Sequence, residues 1–292
     1  LAYLFDVPNT IGTQVAIIVV VTSVALLSVW RGIDGGVKLF SNINMVLAAA
    51  LLLFMVVSGS TLLFANGLLK TAWDYATHFV PLSNWIGRED ESWYHGWTIF
   101  YWAWWISWSP FVGIFIARIS YGRSVREFLT AVLIVPTLVT LTWMTAFGNA
   151  ALKQSIDGVG ELASGIGDVS LAMFQMLENL PFTMLTSTLA IILVLVFFIT
   201  SSDSGSLVVD TITAGGKENA PVSQRVFWAC AEGVVAGVLL AMGGDQALTA
   251  LQAAAITTGL PFMVVLLLVC WCLYKGLRHE LMLIRAGSAA VA

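Results

Sequence analysis

The chain has 292 residues, of which 59% are hydrophobic and 10% are charged, and its formal net charge is −4 at pH 7. Soluble domains carry about a quarter of charged residues, so this composition excludes a soluble domain and predicts an all-α polytopic protein in a lipid bilayer. The three cysteines, Cys230, Cys270 and Cys272, lie in apolar runs, which predicts small buried side chains rather than a disulfide or zinc framework.

Apolar runs of about 20 residues, the length with which a helix crosses a bilayer, recur along the chain. The chain opens without an initiator methionine, so we expect it to be the C-terminal part of a longer protein. Pro261 lies inside the last run and is expected to bend it. Residues 1–292 are predicted to form part of one transmembrane domain, with about seven spans at 11–30, 42–66, 96–117, 128–152, 179–202, 225–244 and 246–274.

The segment 67–85 differs from these runs. It carries Lys70, Asp74 and His78 among several aromatic side chains. A mixture of charged and aromatic faces is typical of an amphipathic helix in the membrane interface, and we predict such a helix here.

Basic residues indicate the orientation of the spans. Ten of the thirteen lysines and arginines fall in alternate loops, and the positive-inside rule makes those loops cytoplasmic. The pattern predicts a multi-pass protein of the cell (inner) membrane with a cytoplasmic C-terminus. The ten residues are Arg31, Lys38, Arg118, Arg123, Arg126, Lys217, Arg225, Lys275, Arg278 and Arg285.

The third predicted span is unusually aromatic. Read as a helix at about 100° per residue, it places six rings along one face, while Trp105 lies at the edge of that face and Trp102 points away. Ring faces attract a methylated ammonium group, which cannot be hydrogen-bonded. An interfacial belt of tryptophans is the alternative, although a belt occupies about one turn and this stripe continues over several. The aromatic stripe consists of Trp97, Tyr101, Trp104, Trp108, Phe111 and Phe115.

One acidic residue, Glu232, lies inside the predicted span 225–244. An ionisable side chain within a membrane span is a hypothesis of function by default. The alternative is a position near a helix end or a water-filled cavity.

Two long segments resemble those of a known family. The segment GWTIFYWAWWISWSPFVGIFIARISYGRSVREF, at 96–128, resembles the signature helix and loop of the betaine/choline/carnitine transporter (BCCT) family. FFITSSDSGSLVVDTITAGG, at 197–216, is similar to a second marked segment of that family, and GGVKLFSNINM, at 35–45, is a weaker match. The resemblance covers nearly the whole chain.

The resemblance implies a fold and a substrate site. It implies twelve helices with a ten-helix core of inverted repeats, as in the LeuT-like sodium-coupled amino-acid transporters, of which this chain would supply the last seven helices. Trp104, Trp105 and Trp108 match substrate-contacting tryptophans of the family, and Phe115 matches an aromatic gate. The turn that follows Trp108 resembles the betaine and choline branches. Tyr101 and Phe111 complete the predicted site.

The second matching segment implies an ion site. Phe197, Thr200 and Ser201 match positions at a sodium site, with the hydroxyls as neutral ligands and the Phe197 carbonyl available where the helix loosens. Proton-coupled members share much of this segment, so Na⁺ and H⁺ both stay open. The alternative is that these hydroxyls, with Asp203, cap the cytoplasmic end of the helix.

The resemblance therefore predicts an ion-coupled symporter of a trimethylammonium compound, glycine betaine or choline. We expect no enzyme activity, because no nucleophile–base pair or metal cluster is visible, and we expect no cofactor and no nucleic-acid partner. A homotrimer is also expected, with 67–85 as a candidate contact. The alternatives are a membrane sensor for the same ligand that does not move it, and an inactive fragment of a transporter.

Overall fold

Within the described residues, which are 1–59, 61–217 and 221–291 of the computed structural model, helix is the only regular secondary structure. The prediction of an all-α protein is therefore confirmed. The main helices are α1 (Ile11–Gly32), α2 (Lys38–Ser58), α3 (Thr61–Ser83), α4 (Glu91–Ile119), α5 (Val125–Asp157), α6 (Ala172–Glu178), α7 (Thr183–Thr213), α8 (Val222–Gly243) and α9 (Ala247–Val291). Short helical turns lie at Ala2–Phe5, Glu161–Ser164 and Gly244–Gln246. Turns of π-helix lie at Ile33–Val37, Tyr94–Ile99, Thr130–Ile134 and Met144–Gly148.

Among the described residues, seven helices are long and apolar enough to cross a membrane: α1, α2, α4, α5, α7, α8 and α9. Their number agrees with the predicted spans, and the chain is a multi-pass membrane protein. α3 does not belong to this set. It carries an exposed ion pair between Lys70 and Asp74, which agrees with a helix that has one side exposed to water.

The second span ends earlier than predicted. Helix α2 stops at Ser58 rather than at residue 66, and α3 begins at Thr61 rather than at residue 67. Gly59 is the C-cap of α2 and leaves the helical conformation, with φ −82° and ψ 9°. An added Cβ there would lie only 2.6 Å from the Met55 carbonyl oxygen, so the position favours glycine. The sequence pattern missed the break because the residues on both sides are apolar.

Two other helices continue beyond their predicted ends. α7 runs to Thr213 rather than to Ser202, and α9 runs to Val291 rather than to residue 274. α9 also continues as one helix through Pro261. Helix α7 continues because buried positions recur at helical spacing beyond Ser202, through Ser206 and Asp210.

The chain divides into two compact units. The first comprises Leu1–Pro81 and Phe115–Gly244. One part of its core joins α2, α5, α6 and α7, and a smaller cluster joins α1 to α7 through Val21, Ala25 and Ile199. α1 also packs closely on α8, since an added Cβ at Gly233 would lie 2.6 Å from the Thr22 methyl carbon. The larger cluster includes Leu51, Met55, Phe147, Met176, Leu177 and Leu193.

The second unit comprises Leu82–Ile114 and Asp245–Ala292. Here α4 and α9 meet through small residues, since an added Cβ at Gly259 would lie 3.1 Å from the Ala103 carbonyl oxygen. Such small contacts let the backbones of membrane helices approach closely. The prediction of buried cysteines was wrong for both units, because Cys230, Cys270 and Cys272 are free and exposed on the outer faces of α8 and α9.

Candidate substrate and ion sites

The aromatic stripe forms two groups of stacked rings along α4. Tyr101 stacks on Trp97 with ring centroids 5.9 Å apart and meets Trp104 edge-on at 5.7 Å. Trp108 stacks on Phe111 at 5.4 Å. These contacts hold the rings in fixed orientations, which favours recognition by ring faces.

The predicted substrate residues keep open surfaces in this chain. The side chains of Trp104 and Trp108 are 41% and 42% exposed, and none of the residues Phe100–Ile119 is buried. Trp105 is 69% exposed, and Phe115 is half-buried. Neither Trp105 nor Phe115 belongs to the stacked groups that the structure describes. The structure therefore brings Tyr101 and Trp104 together and pairs Trp108 with Phe111.

A charged loop fixes the beginning of α4. The Arg88 guanidinium donates to both carboxylate oxygens of Asp90, at 2.8 and 2.6 Å, and lies over the rings of Trp93 and Tyr94. The Tyr94 hydroxyl donates to the Ser83 carbonyl at 3.0 Å. The hydrogen bond from Arg88 holds the pKa of Asp90 below its usual value. This anchor was not predicted from the sequence, although one basic and three acidic residues at 88–91, directly before the aromatic run, were a visible signal.

The predicted ion ligands lie on the outer face of α7. Phe197 and Ser201 are exposed and Thr200 is half-buried. The Thr200 hydroxyl donates to the Val196 carbonyl at 3.1 Å and to the Phe197 carbonyl at 3.0 Å. α7 is continuous here, so the expected loosening at Phe197 is absent from this conformation. The alternative of a helix cap was wrong, because α7 ends at Thr213.

A polar cluster lies between α1, α7 and α8, with Ser28, Asp203 and Ser206 buried and Ser202 and Glu232 half-buried. The Ser28 hydroxyl of α1 donates to Asp203. Ser202 and Ser206 each donate to Oε2 of Glu232 of α8, both at 3.1 Å. Glu232 was a candidate functional residue from the sequence alone, whereas Asp203 was considered there only as part of a helix cap. No residue pattern indicated that these two acids belong to the same cluster.

The described residues contain no group of three or more histidine, cysteine, aspartate or glutamate side chains that could hold a metal ion. A cavity of about 530 Å³ lies between α5 and α6, but its lining is mostly apolar and includes none of the predicted site residues.

The sequence matches a known family over nearly its whole length. Residues 1–282 match the family model described as BCCT, betaine/carnitine/choline family transporter. The chain belongs to the BCCT family. This confirms the resemblance seen in the two signature segments and identifies a family of transporters rather than of enzymes.

Several curated BCCT proteins are similar to the chain. It is 58% identical, over 96% of its length, to a glycine betaine/proline/choline/ectoine transporter of Vibrio parahaemolyticus, and 57% identical, over 95%, to glycine betaine transporter 1 of the same organism. It is 44% identical, over 96% of its length, to the glycine betaine transporter of Bacillus subtilis. These matches cover 50%, 53% and 54% of the three relatives, so the chain spans about half the length of these curated BCCT relatives.

Proposed function

We propose that this BCCT chain is part of a secondary transporter that moves a trimethylammonium compound, glycine betaine or choline, across the cell (inner) membrane. The observation that carries the proposal is the aromatic stripe, in which Trp104 and Trp108 present partly open, oriented rings. Relatives named as glycine betaine transporters support the choice of substrate class.

The proposed substrate site would bind its ligand through aromatic ring faces rather than through an ion pair. A trimethylammonium group has no hydrogen to donate, so the favourable partners for its charge are ring faces, at about 0.5–2 kcal/mol for each contact. Tyr101, Trp104 and Trp108 supply such faces, and Trp105, Phe111 and Phe115 extend the surface. The exposure of these rings suits a site whose other wall comes from elsewhere in the complete protein.

We also propose the LeuT-like arrangement for the complete protein. In that arrangement α4 is the first helix of the second inverted repeat and α7 is its third. Substrate and coupling ion then bind near the middle of the membrane, where helices of both repeats meet. The alternating basic loops support a cytoplasmic C-terminus. A homotrimer that uses α3 as a contact is part of the same proposal.

Sodium is our proposed coupling ion. The hydroxyls of Thr200 and Ser201 and the Phe197 carbonyl are neutral oxygens, which suit a hard monovalent cation. In the described conformation Thr200 donates to backbone carbonyls, and its oxygen lone pairs stay available to a cation. Coupling to protons is the competing outcome.

The test is uptake of labelled glycine betaine and choline by the complete protein in proteoliposomes, with an imposed sodium gradient. We expect uptake that depends on sodium and is inhibited poorly by a neutral analogue in which a tert-butyl group replaces the trimethylammonium group. Binding without uptake would favour a sensor, and absence of both would favour an inactive product. Uptake without sodium that a protonophore abolishes would favour protons.

A further inference from the structure

Two buried aspartates on α7 differ in whether a basic side chain pairs with them. Asp203 and Asp210 lie two turns apart on the same buried stripe, and each is 1% exposed. Asp210 has a protein counter-ion, because Arg225 of α8 lies 3.4 Å from its Oδ2 atom. Asp203 has no ion pair among the described residues. The Oδ1 atoms of both aspartates have no hydrogen-bond partner there, so the ion pair is what distinguishes them.

A second carboxylate without an ion pair stands near Asp203. Glu232 of α8 receives the hydroxyls of Ser202 and Ser206 on one oxygen, Oε2. Its other oxygen, Oε1, faces the backbone of α7, where an added Cβ at Gly205 would lie 3.4 Å from it. Asp203 follows Ser202 directly and lies one turn before Ser206, the two serines that donate to Glu232.

A buried negative charge normally has a cation beside it, since removal of an isolated charge from water costs several kcal/mol or more. In the described residues the fold supplies that cation to Asp210 but supplies none to Asp203 or Glu232. Each of the two carboxylates accepts serine hydroxyls on one oxygen and keeps the other oxygen free of them. The cluster thus combines hydroxyl oxygens with two anionic oxygens, the ligands that a small hard cation prefers.

The third wall of the cluster is built by the glycine-rich segment between α1 and α2. Gly36 is buried against Ser28, and an added Cβ there would lie 2.1 Å from the Ser28 carbonyl oxygen and 2.6 Å from its hydroxyl oxygen. Only glycine fits at this distance. The segment therefore fixes the serine that donates to Asp203.

We propose that Asp203 and Glu232, with the hydroxyls of Ser28, Ser202 and Ser206, form an internal site for an alkali-metal cation between α1, α7 and α8. A monovalent ion fits better than a divalent one, because no third acidic side chain joins the group within the described residues. The site is distinct from that proposed at Thr200 and Ser201. Asp203 is turned by about 200° from the exposed Ser201. It is turned by only about 60° from Thr200, whose hydroxyl donates to the Val196 and Phe197 carbonyls and is not part of the cluster.

The test is equilibrium binding of radioactive sodium to the complete, purified protein in the absence of substrate. We expect Asp203→Asn and Glu232→Gln each to remove one class of bound sodium, or to weaken it at least tenfold. The loss should add to any loss caused by Thr200→Ala with Ser201→Ala, since the sites are separate. Because substrate is absent, the result does not depend on whether the protein transports betaine.

Asp210→Asn is the matched control, since it removes a buried carboxylate from the same stripe that already has Arg225 as its counter-ion. It should leave the sodium stoichiometry unchanged. Ser28→Ala keeps both charges and should weaken sodium binding about three- to tenfold, which keeps the proposal testable if Asp203→Asn does not fold. The proposal is overturned if Ser28→Ala and the acid variants bind sodium as the native protein does, if Asp210→Asn loses as much, or if calcium binds at the cluster and sodium does not.

Discussion

Helices α4 and α7 are both long and apolar, but they differ in how many of their side chains are buried. Residues Phe100–Ile119 of α4 include no buried side chain, and their rings are open. α7 has eleven buried residues, five of which are polar or charged. The buried stripe of α7 packs against neighbouring helices, whereas the proposed role of the α4 stripe is ligand recognition. Substitutions on the buried stripe of α7 should therefore change stability, and substitutions on the stripe of α4 should change affinity. The five buried polar residues of α7 are Thr186, Ser187, Asp203, Ser206 and Asp210.

The largest effect is expected at the ion pair that joins α7 to α8. Arg225→Met should lower the free energy of unfolding by about 3–5 kcal/mol, because it leaves the buried carboxylate of Asp210 without a counter-ion. Denaturation of the purified protein in detergent measures this loss. Lys153→Met breaks an exposed ion pair with Asp157 and should cost much less. Equal losses in the free energy of unfolding for the two variants would show that the buried ion pair stabilises the protein no more than the exposed one.

A smaller loss is expected in the glycine segment that supports α7 through Ser28. Gly36→Ala should destabilise the protein by about 1–3 kcal/mol, because the new methyl group would collide with the Ser28 backbone. Gly35→Ala is the control, since an added Cβ at Gly35 meets only the Arg31 side chain, at 3.5 Å. The melting temperatures of the two variants measure both changes in stability. A native melting temperature for Gly36→Ala would show that the packing around Ser28 is loose.

Substitutions on the outer face of α7 test the difference between exposed and buried residues within one helix. Thr200→Ala with Ser201→Ala should raise the sodium concentration for half-maximal uptake about tenfold and leave the melting temperature nearly unchanged. Substrate affinity at saturating sodium should change much less, because the ion acts through the population competent to bind substrate. Sodium dependence equal to that of the native protein would return these hydroxyls to a purely structural role.

The smallest effect concerns the loop before α4. Because Arg88 lowers the pKa of Asp90, the loop gains stability above the usual pKa of an aspartate, about 3.9, and loses it as the pH falls through the lower value of the folded state. A spin label at Ile86→Cys, with the native cysteines replaced, should become more mobile only below about pH 4. With Asp90→Asn the label should be mobile already at pH 7 and independent of pH. A label that is equally mobile at pH 7 in both proteins would exclude this anchor.

The sequence predicted α4 well, because a period of 3.6 residues and an uncharged run together define both its position and its aromatic face. It predicted α7 less well. The polar residues from Thr200 to Asp203 suggested an exposed end, yet Asp203 is buried and the helix continues. A sequence shows where a charge is but not what lies beside it, and the neighbours of Asp203 come from α1 and α8. The stop at Gly59 was missed for a related reason, since it depends on one close backbone contact.

The central claim is that the rings of α4 bind a trimethylammonium group through their faces. The direct measurement is the affinity of the complete protein for labelled glycine betaine and choline with Trp108→Leu, Trp108→Phe and Trp102→Leu. A loss of about ten- to thirtyfold in affinity is expected for Trp108→Leu, from a contact of about 1–2 kcal/mol. A smaller loss is expected for Trp108→Phe and almost none for Trp102→Leu, with unchanged melting temperatures. Equal losses for Leu and Phe at position 108, or an equal loss at Trp102, would contradict it.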